Sequence, residues 1–307
     1  MIPRVMLIVL NWNGLADTLE CLDSLMHLDY PAYEVVVVDN GSTDGSVEVI
    51  SDRFPGVTLI ENNENLGYAE GNNRGISYAL KAGADYVLVL NNDTVLCQDL
   101  LTHLVRVAEA DSRVGAVGPK IYYHMQPHRI WFAGGMIDWQ RGFTVNLGAD
   151  EDDAGQFEEV KSVDFLAGCA LLIRRETWED VGPFDSRYFM YWEETDWCTR
   201  VRRAGYDLLF VPQAKMWHKV STIAQSQSSR VLYYMTRNRF FFFYKHVISP
   251  CKRVAILARH CWGVFRAITR FLRRGEYEQS QALIRGTWDF FGGRFGRILQ
   301  SRDKGAL

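Results

Sequence analysis

The sequence predicts an α/β protein built on a mostly parallel central sheet, and three observations predict it. Short apolar runs recur along the first third of the chain, each ends in a polar cluster, and segments with helical spacing separate them. Strands buried on both faces read as continuous apolar runs, and parallel neighbours need crossover helices between them. Arg4 to Leu10 ends in Asn11-Trp12-Asn13-Gly14, and Glu34 to Val38 ends in Asp39-Asn40-Gly41-Ser42. Val57 to Ile60 ends in Glu61-Asn62-Asn63-Glu64-Asn65, and Tyr86 to Leu90 ends in Asn91-Asn92-Asp93-Thr94. Open sheets of this kind bind ligands at the carboxyl ends of their strands, so the polar clusters are expected on one rim.

The elements follow in order. Leu15, Leu19, Leu22, Leu25 and Met26 mark the first helix, Val47 and Ile50 the second, and Ile76, Tyr78, Ala79 and Leu80 the third, with Gly83 as its stop. This alternating half runs to about residue 118. A less regular part follows to residue 229: a short strand from Ile130 into the Gly134-Gly135 turn, then an acidic loop from Ala149 to Glu159 that is expected to be mobile. Val163 to Ile173 reads as one apolar strand and Leu208 to Val211 as another. Between them, Glu193 to Ala204 suits a helix with acids in its first turn, Arg200, Arg202 and Arg203 in its last, and Gly205 as its stop.

With 307 residues and 48% hydrophobic content the chain can bury a large core. Its 6 cysteines form no CxxC pair and no signal peptide precedes them, so a reducing, cytoplasmic setting with free thiols is expected. No window reaches the roughly 18 apolar residues of a spanning helix. The net charge of -3 hides a division near Arg230. Residues 1–229 hold 18 Lys and Arg against 33 Asp and Glu, whereas residues 230–307 hold 16 against 4. The basic tail therefore suits an anionic surface, or else the acidic body of its own chain. From Arg253 to Arg274, Val254, Leu257, Cys261, Phe265, Ile268 and Leu272 recur at helical spacing, with Arg259, Arg266, Arg270 and Arg273 mostly opposite. A basic amphipathic helix of this kind lies in the interface of an anionic membrane, and packing on the domain or in a homodimer is the alternative. The run Phe240 to Tyr244 is too short to span and is left to insert shallowly or to pack. Nucleic acid is not an expected partner, because single-strand binders interleave aromatic residues along a basic groove.

A carboxylate at a strand end, with a histidine elsewhere, suits a Mg²⁺ or Mn²⁺ ion that neutralises a leaving diphosphate. Asp93 and His218 are the candidates; a helix cap and a satisfied, half-buried imidazole are the ordinary alternatives. Glu193, Glu194 and Asp196 open a helix, where one acid complements the dipole and another, set among Tyr191 and Trp192, suits a general base. Asp39, Asn11 and Asn13 suit a nucleotide base or ribose, although Asp39 to Ser42 is also a common turn composition. Neither GxGxxG after the first strand nor GxxxxGK[ST] occurs.

The strings LNWNG (10–14), VVVVDNGSTDGS (35–46), ENLGYAEGNNRGI (64–76), LVLNNDT (88–94), FLAGCALLIRR (165–175), VGPFDSRYFMYWEETDWCTRVRRAGY (181–206), WHK (217–219) and YYMTRNRFFFFYKH (233–246) occur in order. Together they make the chain resemble a family 2 glycosyltransferase with the GT-A fold, in particular the bacterial rhamnosyltransferase-like subgroup. The resemblance implies a nucleotide-binding half at 1–118, an acceptor half at 119–229 and a helical extension at 230–307. It implies that Asp39 binds the base and that Asn11, Asn65, Gly67 and Asn73 line the nucleotide-diphosphate site. Asn91, Asn92 and Asp93 take the place of the DxD metal motif, with Asn91 where its first acid stands and His218 completing the metal site. Glu194 is the implied base, supported by Asp196, in a position where many relatives carry Asp. Donor sugar, acceptor and linkage would depend on the pocket shape from Trp131 to Gln140 and from Tyr188 to Glu194, Trp192 included. The activity implied is inverting transfer of a sugar, rhamnose among the candidates, from a dTDP- or UDP-sugar to a lipid-linked glycan at the inner face of the membrane. A sugar nucleotidyltransferase and a non-catalytic sugar-nucleotide or glycan-binding module are the alternatives.

Overall fold

In the computed structural model, which describes residues 2–220 and 228–298, the alternation read from the sequence becomes β1 (Val5–Asn11), α1 (Leu15–Leu25), β2 (Tyr33–Asp39), α2 (Ser46–Arg53), β3 (Thr58–Glu61), α3 (Gly67–Lys81) and β4 (Tyr86–Asn91). The four strands are parallel, in the order β4-β1-β2-β3. Their register puts Leu10 beside Asn91, Asn11 beside Asp39, and Asp39 beside Glu61. The polar clusters therefore share one rim, as two-sided burial of β1, β2 and β4 requires. Helix α3 lies close on the sheet: a Cβ on Gly75 would come within 2.4 Å of the Ile8 side chain. It gives way to a left-handed Gly83, φ 91°.

The rest of this unit continues with β5 (Thr94–Leu96), α4 (Leu100–Glu109), β6 (Val114–Tyr123), β7 (Gln126–Phe132), β8 (Gly135–Asp138), β9 (Phe143–Asn146), β10 (Lys161–Ser162), β11 (Ala170–Arg174), α5 (Arg175–Val181), α6 (Glu193–Arg203) and β12 (Asp207–His218). The sheet is mixed. Strand β11 runs antiparallel between β4 and β6, and β12 lies parallel to β6. Three readings of this part change. The apolar run 163–173 is not one strand: only its end joins β11, because Asp164 turns to accept from the Ile137 amide (2.8 Å) and the chain then crosses toward β4 as a loop. The strand expected at Leu208 to Val211 runs on to His218 past an irregularity between Val211 and Lys215, where Pro212 has no N–H to give. The acidic loop expected to be mobile is anchored. The buried Lys120 ammonium donates to Asp153 (2.9 Å) and Glu158 (2.6 Å), and the Tyr122 hydroxyl donates to Asp153.

Among the described residues, a second compact unit gathers 139–142, 185–193 and 228–298. Its helices are α7 (Ser229–His246), α8 (Pro250–Arg273) and α9 (Tyr277–Phe291). Ser228 caps α7 and Ser249 caps α8, with Pro250 in the first turn, where its missing N–H costs nothing. Phe240 to Phe243 are all buried, so this run packs. Phe240 stacks on Phe290 at 5.2 Å, while Trp139 and Trp192 cover Phe242 at 5.7 and 5.1 Å. Helix α8 packs as well, but not through the expected stripe. It buries Ile256, His260 and Val264, whereas Val254, Phe265 and Leu272 are 68%, 55% and 45% exposed. Residues 299–307, the end of the basic tail, lie outside the described residues.

Candidate active site

At the rim of β1 and β2 the side chains form a buried polar knot. Asn11 donates from Nδ2 to Asp39 Oδ2 at 2.8 Å, and the second Asp39 oxygen accepts from the Ser42 amide at 2.7 Å. Asn11 Oδ1 accepts from the Thr18 hydroxyl (2.9 Å) and from Asn92 Nδ2 (3.2 Å). Asn13, held at φ 52°, accepts through its side chain from the Thr43 amide at 2.7 Å, which joins the β1–α1 turn to the β2–α2 turn. Asn65 accepts from the Gly67 amide at 2.8 Å at the start of α3, where Gly67 also takes a donation from Asn40 on its carbonyl. These residues lie where a nucleotide site was expected. Two amides are turned inward: Asn92 donates to Thr18 (2.9 Å), and Asn73 makes both backbone hydrogen bonds of Phe184, at 2.9 and 3.0 Å.

At the end of β4 the fold brings together Asp93 and His218, the last residue of β12. His218 Nε2 and Asp93 Oδ1 are 3.1 Å apart, and the Lys219 amide donates to the Asp93 carbonyl at 2.9 Å. Lys219 is itself held by Asp17 and Glu20, each at 2.6 Å. Burial opposes ionisation of Asp93, but hydrogen bonding to His218, the histidine's charge and the Asn91 amide keep its pKa below the usual carboxylate value. Burial likewise opposes a charge on His218, and the Cys169 sulfur and Asp93 outweigh it, lifting the pKa to about 10. Trp131 meets the imidazole edge-on at 4.8 Å, and the buried Nδ1 has no partner among the described residues. One carboxylate and one imidazole fit a small divalent cation whose remaining ligands are substrate phosphates and water. Among the described residues no group of three or more such ligands occurs.

The loop before β11 links this end to helix α6. The Asn91 amide donates to the Cys169 carbonyl at 3.2 Å, and a Cβ on Gly168 would stand 3.4 Å from the Glu194 side chain and 2.9 Å from the Tyr68 hydroxyl. Glu194, Asn91 and Asp93 are thus assembled around Gly168 and Cys169. Asp196, fully buried, pairs with Arg200 at 3.0 Å, whose other nitrogens donate to the Val181 and Pro183 carbonyls. Trp192 and Glu193 belong to the second unit.

Sequence reading assigned no role to two residues of that unit, Arg237 and Asn238. Asn238 Nδ2 donates to the carbonyls of Tyr188 (3.0 Å), Met190 (2.8 Å) and Tyr191 (2.8 Å). Arg237 donates to those of Arg187, Tyr188 and Gly296. The segment they hold contains Phe189, Tyr191 and Trp192 at φ 67°, 68° and 78°, conformations costing about 1–3 kcal/mol each outside glycine. Their signal in the sequence is a polar run, Thr236 to Arg239, set between the apolar stretches 231–235 and 240–244 of one helix.

Residues 6–182 match the family described as "Glycosyl transferase family 2". Among curated proteins, the chain is 32% identical over 205 residues to N-acetylglucosaminyl-diphospho-decaprenol L-rhamnosyltransferase of Mycobacterium tuberculosis, covering 60% of this chain and 66% of that one. It is 24% identical over 252 residues to rhamnosyltransferase WbbL of Escherichia coli, covering 73% of this chain and 94% of that one. Among solved structures, mannosyltransferase PcManGT from Pyrobaculum calidifontis in complex with GDP-Man and Mn²⁺ superposes with a TM-score of 0.58 at 19% identity, covering 96% of this chain and 88% of that one. GalNAc-T7 with UDP, GalNAc and Mn²⁺ gives 0.59 at 18%, covering 77% and 47%. The likeness to these two structures is one of fold.

Proposed function

Because the chain belongs to glycosyl transferase family 2 and is a glycosyltransferase with the GT-A fold, we propose that it moves a hexosyl group, rhamnosyl first among the candidates, from a dTDP- or UDP-sugar to a hydroxyl of a lipid-linked glycan, with inversion. The observation that carries this reading is the assembly of Glu194, Asn91 and the Asp93–His218 pair around the 168–169 turn. Glu194 takes the proton of the acceptor hydroxyl while that oxygen forms its bond to the anomeric carbon. The bond from that carbon to the diphosphate breaks with its electrons on the leaving oxygen, and a single displacement inverts the centre. Asp93 and His218 would hold Mg²⁺ or Mn²⁺, which when bound supplies positive charge to the diphosphate. Asp39, Asn11, Asn13, Asn65 and Gly67 form the nucleotide side of the site, Asn73 and Asn92 brace it from behind, and Asp196 fixes the first turn of α6 through Arg200.

The experiment is a transfer assay with a panel of nucleotide sugars and short-chain lipid-linked acceptors, with and without EDTA. Glu194→Gln is expected to lower kcat by about 10²–10⁴-fold with donor binding kept. A folded Glu194→Gln protein with most of its turnover would remove the base assignment.

The partner surface on the second unit is proposed to be an anionic membrane face. Trp262 and Phe265 on α8, and Trp288 and Phe291 on α9, are exposed, and so are Arg266, Arg270, Arg273 and Arg274. Exposed aromatic residues beside arginines suit a headgroup layer. Among the described residues no helix is long and apolar enough to cross a membrane.

A further inference from the structure

Past the end of α9 the chain turns back on its own helix and bounds an open cleft. Gly293 and Gly296 take left-handed backbone, φ 66° and 79°, which lets residues 292–298 reverse direction. Hydrogen bonds hold that return in place. The Arg294 amide donates to the Asp289 carbonyl (2.7 Å), the Gly296 amide to the Arg187 carbonyl (2.7 Å) and the Ile298 amide to the Tyr234 hydroxyl (2.8 Å), while Arg237 donates to the Gly296 carbonyl (2.7 Å). Phe295 packs on Phe241 with ring centres 4.3 Å apart. The cleft is therefore built by the fold, lies wholly within the second unit, and has a volume of about 800 Å³.

Ile284, Arg285, Trp288 and Asp289, three to four residues apart, turn one face of α9 to this cleft. The Asp289 side chain is only 10% exposed and accepts from the Tyr233 hydroxyl at 2.7 Å; Arg294 approaches it at 3.3 Å and Arg285 at 3.8 Å. Two guanidiniums thus converge on one buried carboxylate, and their own side chains stay 76% and 45% exposed. Arg297 lines the same cleft, so among the described lining residues three positive charges face one negative. The carboxylate orients the arginines without balancing them, and a planar guanidinium matches phosphate as well as it matches carboxylate. Ile284 and Trp288 complete the wall, 41% and 70% exposed. An apolar wall left in water beside unbalanced positive charge matches an amphiphile, an anion joined to a hydrocarbon chain. A free phosphate has nothing to lay on it.

We propose that this cleft binds one anionic phospholipid molecule, its phosphate held by Arg285, Arg294 and Arg297 and the first part of its acyl chain laid along Ile284 and Trp288. Trp288 belongs also to the face assigned above to an anionic membrane, so the cleft adjoins the surface where lipid would be presented. The proposal rests on that reading and deepens it: the face answers to charge in general, whereas the cleft takes a single lipid in a defined site.

The test is a calorimetric titration of the full chain with dihexanoyl-phosphatidylglycerol below its micelle concentration, beside dihexanoyl-phosphatidylcholine and inorganic phosphate. The anionic lipid is expected to bind saturably, one molecule per chain, and each of the other two more weakly by about tenfold or more. Arg294→Gln should weaken the anionic lipid by about tenfold, as loss of one charge-assisted bond requires. Ile284→Glu, which puts a negative charge into the wall without removing any member of the Asp289 cluster, should do the same, and it decides the question if Arg294→Gln lowers the Tm. The site falls if the anionic lipid does not bind, if phosphate or the zwitterionic lipid binds as tightly, or if Ile284→Glu binds like the parent. Vesicle sedimentation separates the two readings. Binding to anionic vesicles that Arg266→Gln with Arg270→Gln weakens, in a chain that takes up no monomeric lipid, would keep the membrane face and remove the cleft. Monomeric lipid bound by a chain that does not sediment with vesicles would keep the cleft and remove the face.

Discussion

Asp93 and His218 are 125 residues apart in the chain and 3.1 Å apart in space. Asp93 was legible at the end of an apolar strand; His218 was a candidate by residue type and by the family resemblance, but not by position, since a strand pairing brings it in and spacing cannot report that. The difference between Asp93 and Asn91 is testable. Asp93→Ala is expected to lower metal-dependent transfer on the order of 10³-fold, because it removes the one carboxylate offered to the cation. Asn91→Ala should cost nearer tenfold, since its amide acts through Asp93; equal losses in folded proteins would mean that Asn91 has a direct role. His260 gives a pH prediction of known sign. Burial, the charge of Arg239 on α7 and that of Arg259 on its own helix lower its pKa to about 4, against the stabilising Gly142 carbonyl. The folded state thus resists a proton that the unfolded state accepts below about 6.5. Stability is fully present above that value and declines as pH falls toward 4, by about 2–3 kcal/mol at pH 4.5. Denaturant melts of the parent and of His260→Gln should show this extra acid loss only in the parent.

At the scale of elements, the β–α alternation to residue 91, the stops at Gly83 and Gly205, and the helix from Glu193 were legible because each is a local pattern: two-sided burial, a left-handed terminus, a dipole matched by charge. The run 163–173 was not, since an apolar loop packed in a core looks like a strand. Helix α8 left open which of its faces packs. Its apolar residues occupy more than one face, and periodicity cannot say which face a neighbour will cover. Helix α7 supplies the element-level prediction. Asn238 fixes the carbonyls of 188, 190 and 191 on a segment with left-handed residues, immediately before Glu193 and Glu194. Asn238→Ala should cost about 1–3 kcal/mol in a denaturant melt, from buried carbonyls left unpaired. It should also lower kcat by up to about 10²-fold with little change in donor KM, as misplacement of a reacting group does. A variant that loses stability while keeping kcat would confine Asn238 to folding.

At the scale of the molecule, charge is divided along the chain: residues 1–229 are acidic and 230–307 basic. The exposed aromatic and arginine side chains of α8 and α9 turn that division into a prediction. The full chain should sediment with vesicles containing anionic phospholipid, more weakly with neutral ones, and progressively less as salt rises. Arg266→Gln with Arg270→Gln should weaken this by about tenfold or more, at about 1 kcal/mol per basic residue, and Trp262→Ser with Trp288→Ser should weaken it in neutral lipid too. Binding indifferent to lipid charge and to all four changes would assign the face to another partner. The sequence by itself determined the alternating fold, the polar rim, the candidate acids and the sign of each half, because burial, helix termini and charge are written in neighbouring residues. Only the tertiary structure decided that His218 meets Asp93, that Asn73, Asn92 and Asp196 are held by the protein itself, and that α8 leaves its expected stripe in solvent. Those outcomes depend on which distant backbone and side-chain groups the fold brings together, and pairing over long separations leaves no local trace in a chain.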